Sequence, residues 1–252
     1  MTKQKSHTAL VTGSTQGIGK AIAIDFASNG MNVIVTGRNK ENLENVIAEL
    51  SEYPVNSYSI AADLNDPNGV TSIDEYITEN DLNVDVLVNN AAYIHPRVEV
   101  IDFDMEEWEK VINVNLTSAV RLIKYLLPSM IKNEYGKIIN ISSIGGRKGA
   151  AGRSAYRATK AAMISITESL ASEVKKHGID VNCICPGSVL TEGYITAFGN
   201  NFTTNSSIPM DKSKMMDPKE IAKICYFLVQ DESAAITGAV IDAYGSSNPL
   251  FM

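Results

Sequence analysis

Short apolar runs alternate regularly with longer amphipathic stretches along this chain, a rhythm that few folds accommodate. Seven runs are predicted to be buried strands, and they read TALVTG, MNVIVTGR, NSYSIAADL, VDVLVNNAA, GKIINISS, IDVNCICPG and GAVIDAY. Helical periodicity covers the stretches Gly17–Asn29, Lys40–Glu52, Pro67–Asn80, Met105–Asn133, Ser154–His177 and Asp217–Gln230. Near-continuous apolar strands that alternate with helices are typical of a parallel sheet covered by helices on both faces. The pattern therefore predicts an α/β fold.

Length and charge indicate one globular domain spanning residues 1–252. A chain of 252 residues can bury a large core, and neither a repeat nor a linker divides it. Its net charge of −7 argues against nucleic acid or an anionic membrane as a partner. No run approaches the ~20 apolar residues of a membrane span, and the first residues lack a signal-peptide core. We therefore expect a cytoplasmic protein.

The cysteines and histidines favour neither a disulfide nor a metal site. The three cysteines are an odd number, and Cys183 and Cys185 alternate along an apolar run, as small buried side chains do. None of the three histidines is spaced with a cysteine or a carboxylate as a ligand set. We expect reduced thiols and no metal.

A glycine-rich turn, TGSTQGIG over residues 12–19, follows the first predicted strand and opens a helix. Glycines at such a turn let the backbone approach a pyrophosphate and bring helix and strand close together. The amino end of the helix adds free N–H groups and a partial positive charge for an anion. Strand-to-helix turns often carry glycine for structural reasons alone, but this position in a βαβ unit favours a dinucleotide site.

The ends of the next strands indicate which dinucleotide binds. The second strand ends at Gly37, where NAD sites usually place an acid against the ribose 2′-hydroxyl, and Arg38 follows. A guanidinium can pair with a 2′-phosphate and stack on adenine, so the pattern favours NADP(H), with NAD(H) as the alternative. Asp63 ends the third strand and could accept a hydrogen bond from the adenine amino group. The stretch 89–92 ends the fourth strand, at the edge where open sheets bind nucleotides.

Tyr156 and Lys160 are four residues apart, and Ser143 lies upstream of them. Residues at i and i+4 share one face of a helix. A phenol titrates near ~10, and a neighbouring ammonium lowers that pKa towards the pH at which a general acid–base group works best. With the serine hydroxyl holding a substrate oxygen, the triplet suits proton transfer to or from an alcohol or carbonyl oxygen. Most Tyr–Lys pairs at this spacing are merely solvated, so the other motifs decide.

In this order and spacing, the motifs resemble the classical short-chain dehydrogenase/reductase family over nearly the whole chain. The matching segments are TGSTQGIG, Asp63-Leu64, NNAA (89–92), Asn115 in NVNL, Ser142-Ser143, Tyr156 with Lys160, and Pro186-Gly187 followed by Thr191. The resemblance implies a single Rossmann-like, doubly wound parallel sheet of order 3-2-1-4-5-6-7. It also implies an NADP(H)-dependent oxidoreductase that interconverts a carbonyl and a secondary alcohol on a small metabolite. Members are usually tetramers, so we expect a homo-oligomer, either a tetramer or a dimer.

The resemblance further implies a role for each matching residue. Tyr156 would be the acid–base group, Lys160 would bind the nicotinamide ribose and lower the tyrosine pKa, and Ser143 would hold the substrate oxygen. Asn115 would hold a water that relays protons from Lys160, and Thr191 would meet the nicotinamide carboxamide or the phosphates. The residues expected to bind the cofactor are Gly13, Ser14, Thr15, Gln16, Gly17, Ile18, Gly19, Arg38, Asp63, Leu64, Asn89, Ala91, Tyr156, Lys160, Pro186, Gly187, Val189 and Thr191.

Three positions depart from the family pattern. NNAA replaces the commoner NNAG, a small change that should be tolerated. The last predicted strand continues as DAYGS rather than Asp-Gly-Gly, which weakens the expectation of the usual tetramer contact there. Gln16 stands where many NADP-preferring members carry a basic residue, so Arg38 would act largely alone.

The sequence alone leaves the identity of the substrate undetermined. Members that reduce 3-oxoacyl groups on acyl carrier protein tend to carry basic residues near the ends of two helices, where this chain has Glu134 and His177. The acidic Glu134 disfavours our alternative function, a 3-oxoacyl-thioester reductase acting on acyl carrier protein or CoA substrates. Arg147, Lys148 and Arg153 precede the Tyr–Lys helix and could attract an anionic small substrate. Such charges are more often solvated or meet a neighbouring subunit.

Two other functions fit the residues less well. A non-catalytic dinucleotide-binding regulator would be expected to have lost Tyr156 or Lys160, and both are present. A dehydratase or epimerase on this fold would need a longer C-terminal substrate domain. The segment 190–216, rich in Thr, Asn, Ser and Gly, could be a lid over the substrate or a polar surface insertion.

Overall fold

A computed structural model describes residues 6–198 and 212–245 of the chain. Its strands are β1 (Thr8–Val11), β2 (Asn32–Gly37), β3 (Ser57–Ala61), β4 (Val86–Asn89), β5 (Gly136–Ile141), β6 (Ile179–Pro186) and β7 (Val240–Ala243). They form one parallel sheet in the order β3-β2-β1-β4-β5-β6-β7. The predicted fold class and strand order are confirmed. Because β1 is flanked by both β2 and β4, the chain reverses its winding direction there, which opens a crevice at the carboxyl edge of the sheet.

Helices cover both faces of this sheet. They are α1 (Gly17–Ser28), α2 (Lys40–Leu50), α3 (Pro67–Glu79), α4 (Met105–Ile112), α5 (Ser118–Lys132), α6 (Ser154–Val174), α7 (Glu192–Phe198) and α8 (Pro218–Val229). One buried cluster packs α1, α2 and α8 against the sheet, and a second packs α3, α5 and α6 against the opposite face. None of the helices in the described ranges is long and apolar enough to cross a membrane.

Side-chain caps fix where several of these helices begin. Asn39, Asp66, Asp104 and Asp217 each accept a hydrogen bond from a backbone N–H in the first turn of α2, α3, α4 and α8 respectively. Asp217 also completes a capping box, and prolines open α3 and α8. Local sequence therefore sets these boundaries before any tertiary contact forms.

The predicted helical structure over Met105–Asn133 is confirmed, and it contains one irregular turn. A π-helical turn, Asn113–Thr117, separates α4 from α5. The wider turn directs Asn115 inward, where its side chain is 2% exposed and binds the backbone of Tyr93. Such turns often occur at functional positions in helices.

The predicted segment 190–216 lies partly within the described ranges. It begins as α7 and includes a short 3₁₀ turn at Lys212–Lys214, while residues 199–211 lie outside the described residues. The backbone of Val189 pairs with that of Met216, which brings the two ends of the segment together beside the sheet. The single-domain assignment of residues 1–252 stays a prediction.

Candidate active site

The glycine turn after β1 packs too tightly for side chains. Gly13 has φ +61°, and a Cβ built on it would lie 2.9 Å from the Cα of Ala91. Gly17 has φ +55°, a conformation that residues with a Cβ rarely adopt. A Cβ on Gly19 would collide with the carbonyl of Gly13. The glycines therefore let the turn pack closely against the loop after β4 and against the first turn of α1.

Polar side chains from neighbouring strands hold this turn in place. The Ser14 hydroxyl donates to the Val11 carbonyl (2.8 Å) and accepts from the Thr36 N–H (2.9 Å). Asn90 donates from its amide to the carbonyls of Thr12 (2.8 Å) and Gly13 (3.1 Å). Ser14 is fully buried, so its hydroxyl organises the turn from beneath rather than facing a ligand.

A crevice of about 290 Å³ runs along the carboxyl edge of the sheet. Its walls include ten of the residues predicted to bind the cofactor, namely Gly13, Thr15, Gln16, Gly17, Ile18, Arg38, Asp63, Leu64, Ala91 and Thr191. It also includes Asn90, Tyr93, Lys110 and Tyr194, which sequence reasoning missed. Of these four residues, only Asn90 could have been identified from the sequence, because it belongs to the NNAA motif. Nothing in the sequence linked the other three residues to this edge of the sheet.

The remaining predicted cofactor residues lie beside or behind the crevice. Asn89 is buried at the end of β4, where its amide donates to the side-chain oxygen of Asn140 (2.9 Å). Pro186 ends β6, and the next residue, Gly187, donates its N–H to the Ala243 carbonyl (2.8 Å). These contacts support the floor of the site.

Tyr156 and Lys160 lie on α6 beside the carboxyl end of β5. The Lys160 ammonium donates to the Ile141 carbonyl (2.8 Å) and lies 5.8 Å from the centroid of the Tyr156 ring. Ser143 follows β5 and accepts from the Gly145 N–H (3.0 Å), and its side chain lowers the pKa of the Tyr156 phenol. The structure thus brings the predicted catalytic triplet together.

Burial and neighbouring groups shift the pKa values of Tyr156 and Lys160. Burial raises the pKa of Tyr156 above its ordinary value, and the lowering contributions come from the Ser143 side chain and the positive charges of Arg153 and Arg157. Burial also lowers the pKa of Lys160 to about 8. The predicted role of Lys160 in lowering the tyrosine pKa stays a prediction.

Asn115 stands behind the triplet. Its side chain accepts from the Tyr93 N–H (2.6 Å) and donates to the Tyr93 carbonyl (3.0 Å) and the Thr159 hydroxyl (3.3 Å). Thr159 in turn donates to the Tyr156 carbonyl (2.7 Å). Asn115 therefore ties the loop after β4 to α6, and its predicted water relay from Lys160 stays a prediction.

His95 is a further contact to α6 that the sequence did not single out. It is fully buried, and its Nε2 lies 3.4 Å from the Tyr156 backbone nitrogen. Because Nε2 accepts there, the ring proton belongs on Nδ1, which lies 2.6 Å from the Pro96 carbonyl. His95 thus satisfies one of the free N–H groups at the start of α6. Within the described ranges, no group of three or more His, Cys, Asp or Glu side chains is arranged to hold a metal ion.

Comparison with known proteins agrees with this geometry. The family model described as short chain dehydrogenase matches residues 7–198. The 3-oxoacyl-(acyl-carrier-protein) reductase FabG of Vibrio cholerae is 35% identical over 241 residues, which cover 96% of this chain and 97% of that protein.

Two solved structures are similar throughout. A variant of actinorhodin polyketide ketoreductase with NADPH has a TM-score of 0.87 at 30% identity and covers 98% of this chain and 100% of its own. L-Sorbose reductase from Gluconobacter frateurii, complexed with NADPH and L-sorbose, has a TM-score of 0.88 at 28% identity and covers 97% of each chain.

The fold and the site define a dinucleotide-linked oxidoreductase. The chain belongs to the short chain dehydrogenase family, and it acts on CH–OH or C=O groups.

Proposed function

We propose that this chain is an NADP(H)-dependent oxidoreductase that interconverts a carbonyl and a secondary alcohol on a small metabolite. The observation that carries the proposal is the position of Tyr156 on α6, one helical turn before Lys160, whose Nζ lies 5.8 Å from the centroid of the Tyr156 ring. The triplet of Ser143, Tyr156 and Lys160 lies at the same sheet edge as the glycine turn and its crevice.

The residues along the crevice fit a phosphorylated dinucleotide. The glycine turn lines the crevice at the amino end of α1, a position that suits a pyrophosphate. At the other end, Gly37 leaves the usual place of an acid empty, and Arg38 lies in the wall beside Thr15 and Asp63. Arg38 would pair with the 2′-phosphate and Asp63 would accept from the adenine, which favours NADP(H) over NAD(H).

The protein's own contribution is to position one oxygen and to move one proton. The nicotinamide, when bound, supplies or takes up the hydride. Ser143 would donate a hydrogen bond to the substrate oxygen, and Tyr156 would give that oxygen its proton during reduction or remove it during oxidation. Because burial raises the pKa of Tyr156, the phenol is protonated at neutral pH, and this state suits reduction.

Lys160 and Asn115 would support proton transfer by Tyr156. The Lys160 ammonium lies near the Tyr156 ring, 5.8 Å from its centroid, and would bind the nicotinamide ribose. Thr191 lines the crevice, and Gly187 and Val189 lie in the segment that joins it to Pro186 at the end of β6. A cytoplasmic location and a homo-oligomeric state, tetramer or dimer, stay predictions.

A 3-oxoacyl-thioester reductase is the second candidate. It is favoured by the 35% identity with the Vibrio cholerae reductase, whose name states an acyl-carrier-protein substrate. It is disfavoured by Glu134, an exposed acid at one of the positions where carrier-binding members tend to be basic. An acidic carrier protein would be repelled at this point.

Oxidation of NADPH by the purified protein against a substrate panel tests both candidates. The panel holds small ketones, sugars, steroids, and acetoacetyl thioesters of N-acetylcysteamine, CoA and acyl carrier protein. We expect a small ketone or keto sugar to give the highest kcat/KM, with NADPH preferred over NADH. A carrier-protein thioester reduced more than about 100-fold better than the N-acetylcysteamine thioester would instead establish the second candidate.

A further inference from the structure

Helix α6, which carries Tyr156, begins without a capping side chain of its own. Its N-cap residue, Arg153, makes no side-chain hydrogen bond to the first turn, and a guanidinium has no acceptor to offer there. The bonding pattern of the helix starts with Arg157, whose N–H donates to the Arg153 carbonyl (3.0 Å). The N–H of Tyr156, one residue earlier, therefore needs an acceptor from outside the helix.

His95, in the loop after β4, supplies that acceptor. It lies 61 residues before Tyr156 in the chain, and its Nε2 is 3.4 Å from the Tyr156 backbone nitrogen. Its Nδ1 is 2.6 Å from the Pro96 carbonyl, which fixes the ring proton on Nδ1 and leaves the lone pair of Nε2 for Tyr156. Helices usually take this acceptor from Ser, Thr, Asp or Asn at the N-cap position. Here tertiary structure provides the cap, and it acts on the catalytic residue itself.

Packing holds the His95 ring in this place. The residue is fully buried, and Phe103 meets its ring edge-on, with centroids 4.8 Å apart. Phe103 in turn meets Trp108 on α4 edge-on, with centroids 5.3 Å apart. The guanidinium of Arg153 donates to the His95 carbonyl. Because both its ring and its backbone are held, His95 is a fixed point against which the start of α6 is placed.

The surroundings of His95 keep its ring neutral. The pKa of His95 is below its ordinary value mainly because of burial; the contact with Pro96 raises it, the charge of Arg153 lowers it, and Glu107 on α4 raises it. The amino end of α6 also disfavours a positive charge beside it. A protonated ring would carry a hydrogen on both nitrogens and could not accept from Tyr156. The neutral ring is therefore the form that caps the helix.

The loop that carries His95 also forms part of the crevice wall. Tyr93 and Ile94, the two residues before it, line the crevice. Asn115 accepts from the Tyr93 N–H (2.6 Å) and donates to the Tyr93 carbonyl (3.0 Å), which fixes this loop against the π-helical turn. Three consecutive residues thus connect the wall of the crevice with the backbone of Tyr156.

We propose that His95 is a positioning residue, whose ring holds the backbone of Tyr156 at a set place relative to the crevice. The proposal rests on the proposed function, because it takes Tyr156 as the group that transfers the proton. His95 is not itself an acid–base group in this account, since one ring nitrogen contacts the Tyr156 N–H and the other the Pro96 carbonyl. Proton transfer depends on the distance and angle of the donor, so a displaced helix start lowers turnover without removing the cofactor site.

Two substitutions separate the contributions of the two ring nitrogens. In His95→Gln the side-chain amide reaches as far as Nε2 did and can accept from the Tyr156 N–H. In His95→Asn the amide reaches only as far as Nδ1 and keeps the contact with Pro96 alone. His7→Asn is the matched control, because that histidine also stacks on an aromatic ring, that of Tyr135, but precedes β1 at the opposite edge of the sheet.

Steady-state kinetics with NADPH and the best ketone of the panel measure the effect. We expect His95→Asn to lower kcat by about 10- to 100-fold, with KM and the Kd for NADPH changed less than about threefold. His95→Gln should keep at least about half of the wild-type kcat, and His7→Asn should match the wild type. Urea unfolding shows that each variant is folded under the assay conditions. Equal kcat for His95→Gln and His95→Asn would overturn the proposal while leaving ketone reduction by Tyr156 intact.

Hydrogen exchange at single amides tests the contact without turnover. The Tyr156 amide should exchange slowly in the wild type and in His95→Gln, and at least about tenfold faster in His95→Asn, because only the first two offer it an acceptor. This result supports the role of His95 even if no ketone is reduced and the proposed function fails. An unprotected Tyr156 amide in the wild type would overturn the proposal, whether or not the variants fold.

Discussion

The carboxylate of Glu192 accepts a hydrogen bond from the backbone N–H of Gly17, with a distance of 3.1 Å between Oε2 and the nitrogen. Gly17 opens α1, and the N-cap residue of that helix, Gln16, makes no side-chain capping bond. A carboxylate at this amino end stands where the pyrophosphate of a dinucleotide is expected. A pyrophosphate bound as proposed would therefore compete with Glu192 on α7 for the same N–H group.

Glu192→Gln should bind NADPH more tightly than the wild type. Removing the negative charge weakens the competing contact and removes repulsion of the phosphates, effects of about 1 kcal/mol at a helix terminus, or roughly fivefold in Kd. Fluorescence titration with NADPH measures it. Glu79→Gln, an exposed glutamate at the end of α3, is the control. An unchanged or weaker affinity of Glu192→Gln would show that the Gly17 contact does not compete.

Arg38→Gln should shift the cofactor preference towards NADH. The substitution removes the guanidinium expected on the 2′-phosphate, and a charge-assisted pair of this kind contributes about 1.5–3 kcal/mol. The ratio of kcat/KM for NADPH to that for NADH should therefore fall by about 10- to 100-fold. Lys132→Gln, a substitution at the end of α5, is the control and should leave this ratio unchanged. A ratio that Arg38→Gln leaves unaltered contradicts the NADP(H) assignment.

Lys160→Met should stabilise the fold at pH 7 while removing the lysine from the site. Burial lowers the pKa of Lys160 from 10.5 to about 8, so the charged form destabilises the folded state at all pH values below about 8. Between about pH 8 and 10.5 the unfolded wild type binds more protons than the folded one, and wild-type stability from this group rises with pH. The substitution also removes the hydrogen bond from Lys160 to the Ile141 carbonyl. After this loss is subtracted, we expect the free energy of unfolding to rise by about 1–2 kcal/mol at pH 7.

Urea unfolding of both proteins from pH 7 to pH 10 checks this sign. The advantage of Lys160→Met should shrink above pH 8, whereas the difference between the exposed variant Lys132→Met and the wild type should stay constant across the range. A variant less stable than the wild type by the same amount at every pH would contradict the buried-charge account.

Thr167→Val should destabilise the protein by about 1–3 kcal/mol. The Asn140 amide donates to the Thr167 hydroxyl (2.9 Å), and both residues are fully buried. Valine keeps the shape of threonine but leaves the amide donor without its acceptor. Urea unfolding compares it with Thr78→Val, which is exposed on α3. A change within about 0.5 kcal/mol would mean that the amide finds another partner.

The sheet was predictable because most strands are short apolar runs that alternate with amphipathic helices, and several helix starts carry caps that act locally. The π-helical turn at Asn113–Thr117 was not, since it preserves the amphipathic pattern on both sides. The helix α7 was missed because it is short and lies in a segment rich in Thr, Asn, Ser and Gly that has no clear periodicity.

The catalytic triplet and the glycine turn were predictable for a different reason, since each is a short motif of fixed spacing. The contributions of Lys110 and Tyr194 to the crevice were not, because they depend on contacts between distant parts of the chain. The burial of Arg153 was not predictable either, because arginines are rarely buried and its burial depends on packing between distant parts of the chain.

The central claim is that Tyr156 transfers the proton, and Tyr156→Phe tests it most directly. We expect NADPH oxidation with the best ketone of the panel to fall by about 10²–10⁴-fold, the usual contribution of a general acid, with the Kd for NADPH changed less than about threefold. Tyr76→Phe on α3 is the matched control and should keep wild-type turnover. If Tyr156→Phe retained more than about a tenth of the wild-type kcat/KM, the proton would come from another group and the account would be contradicted.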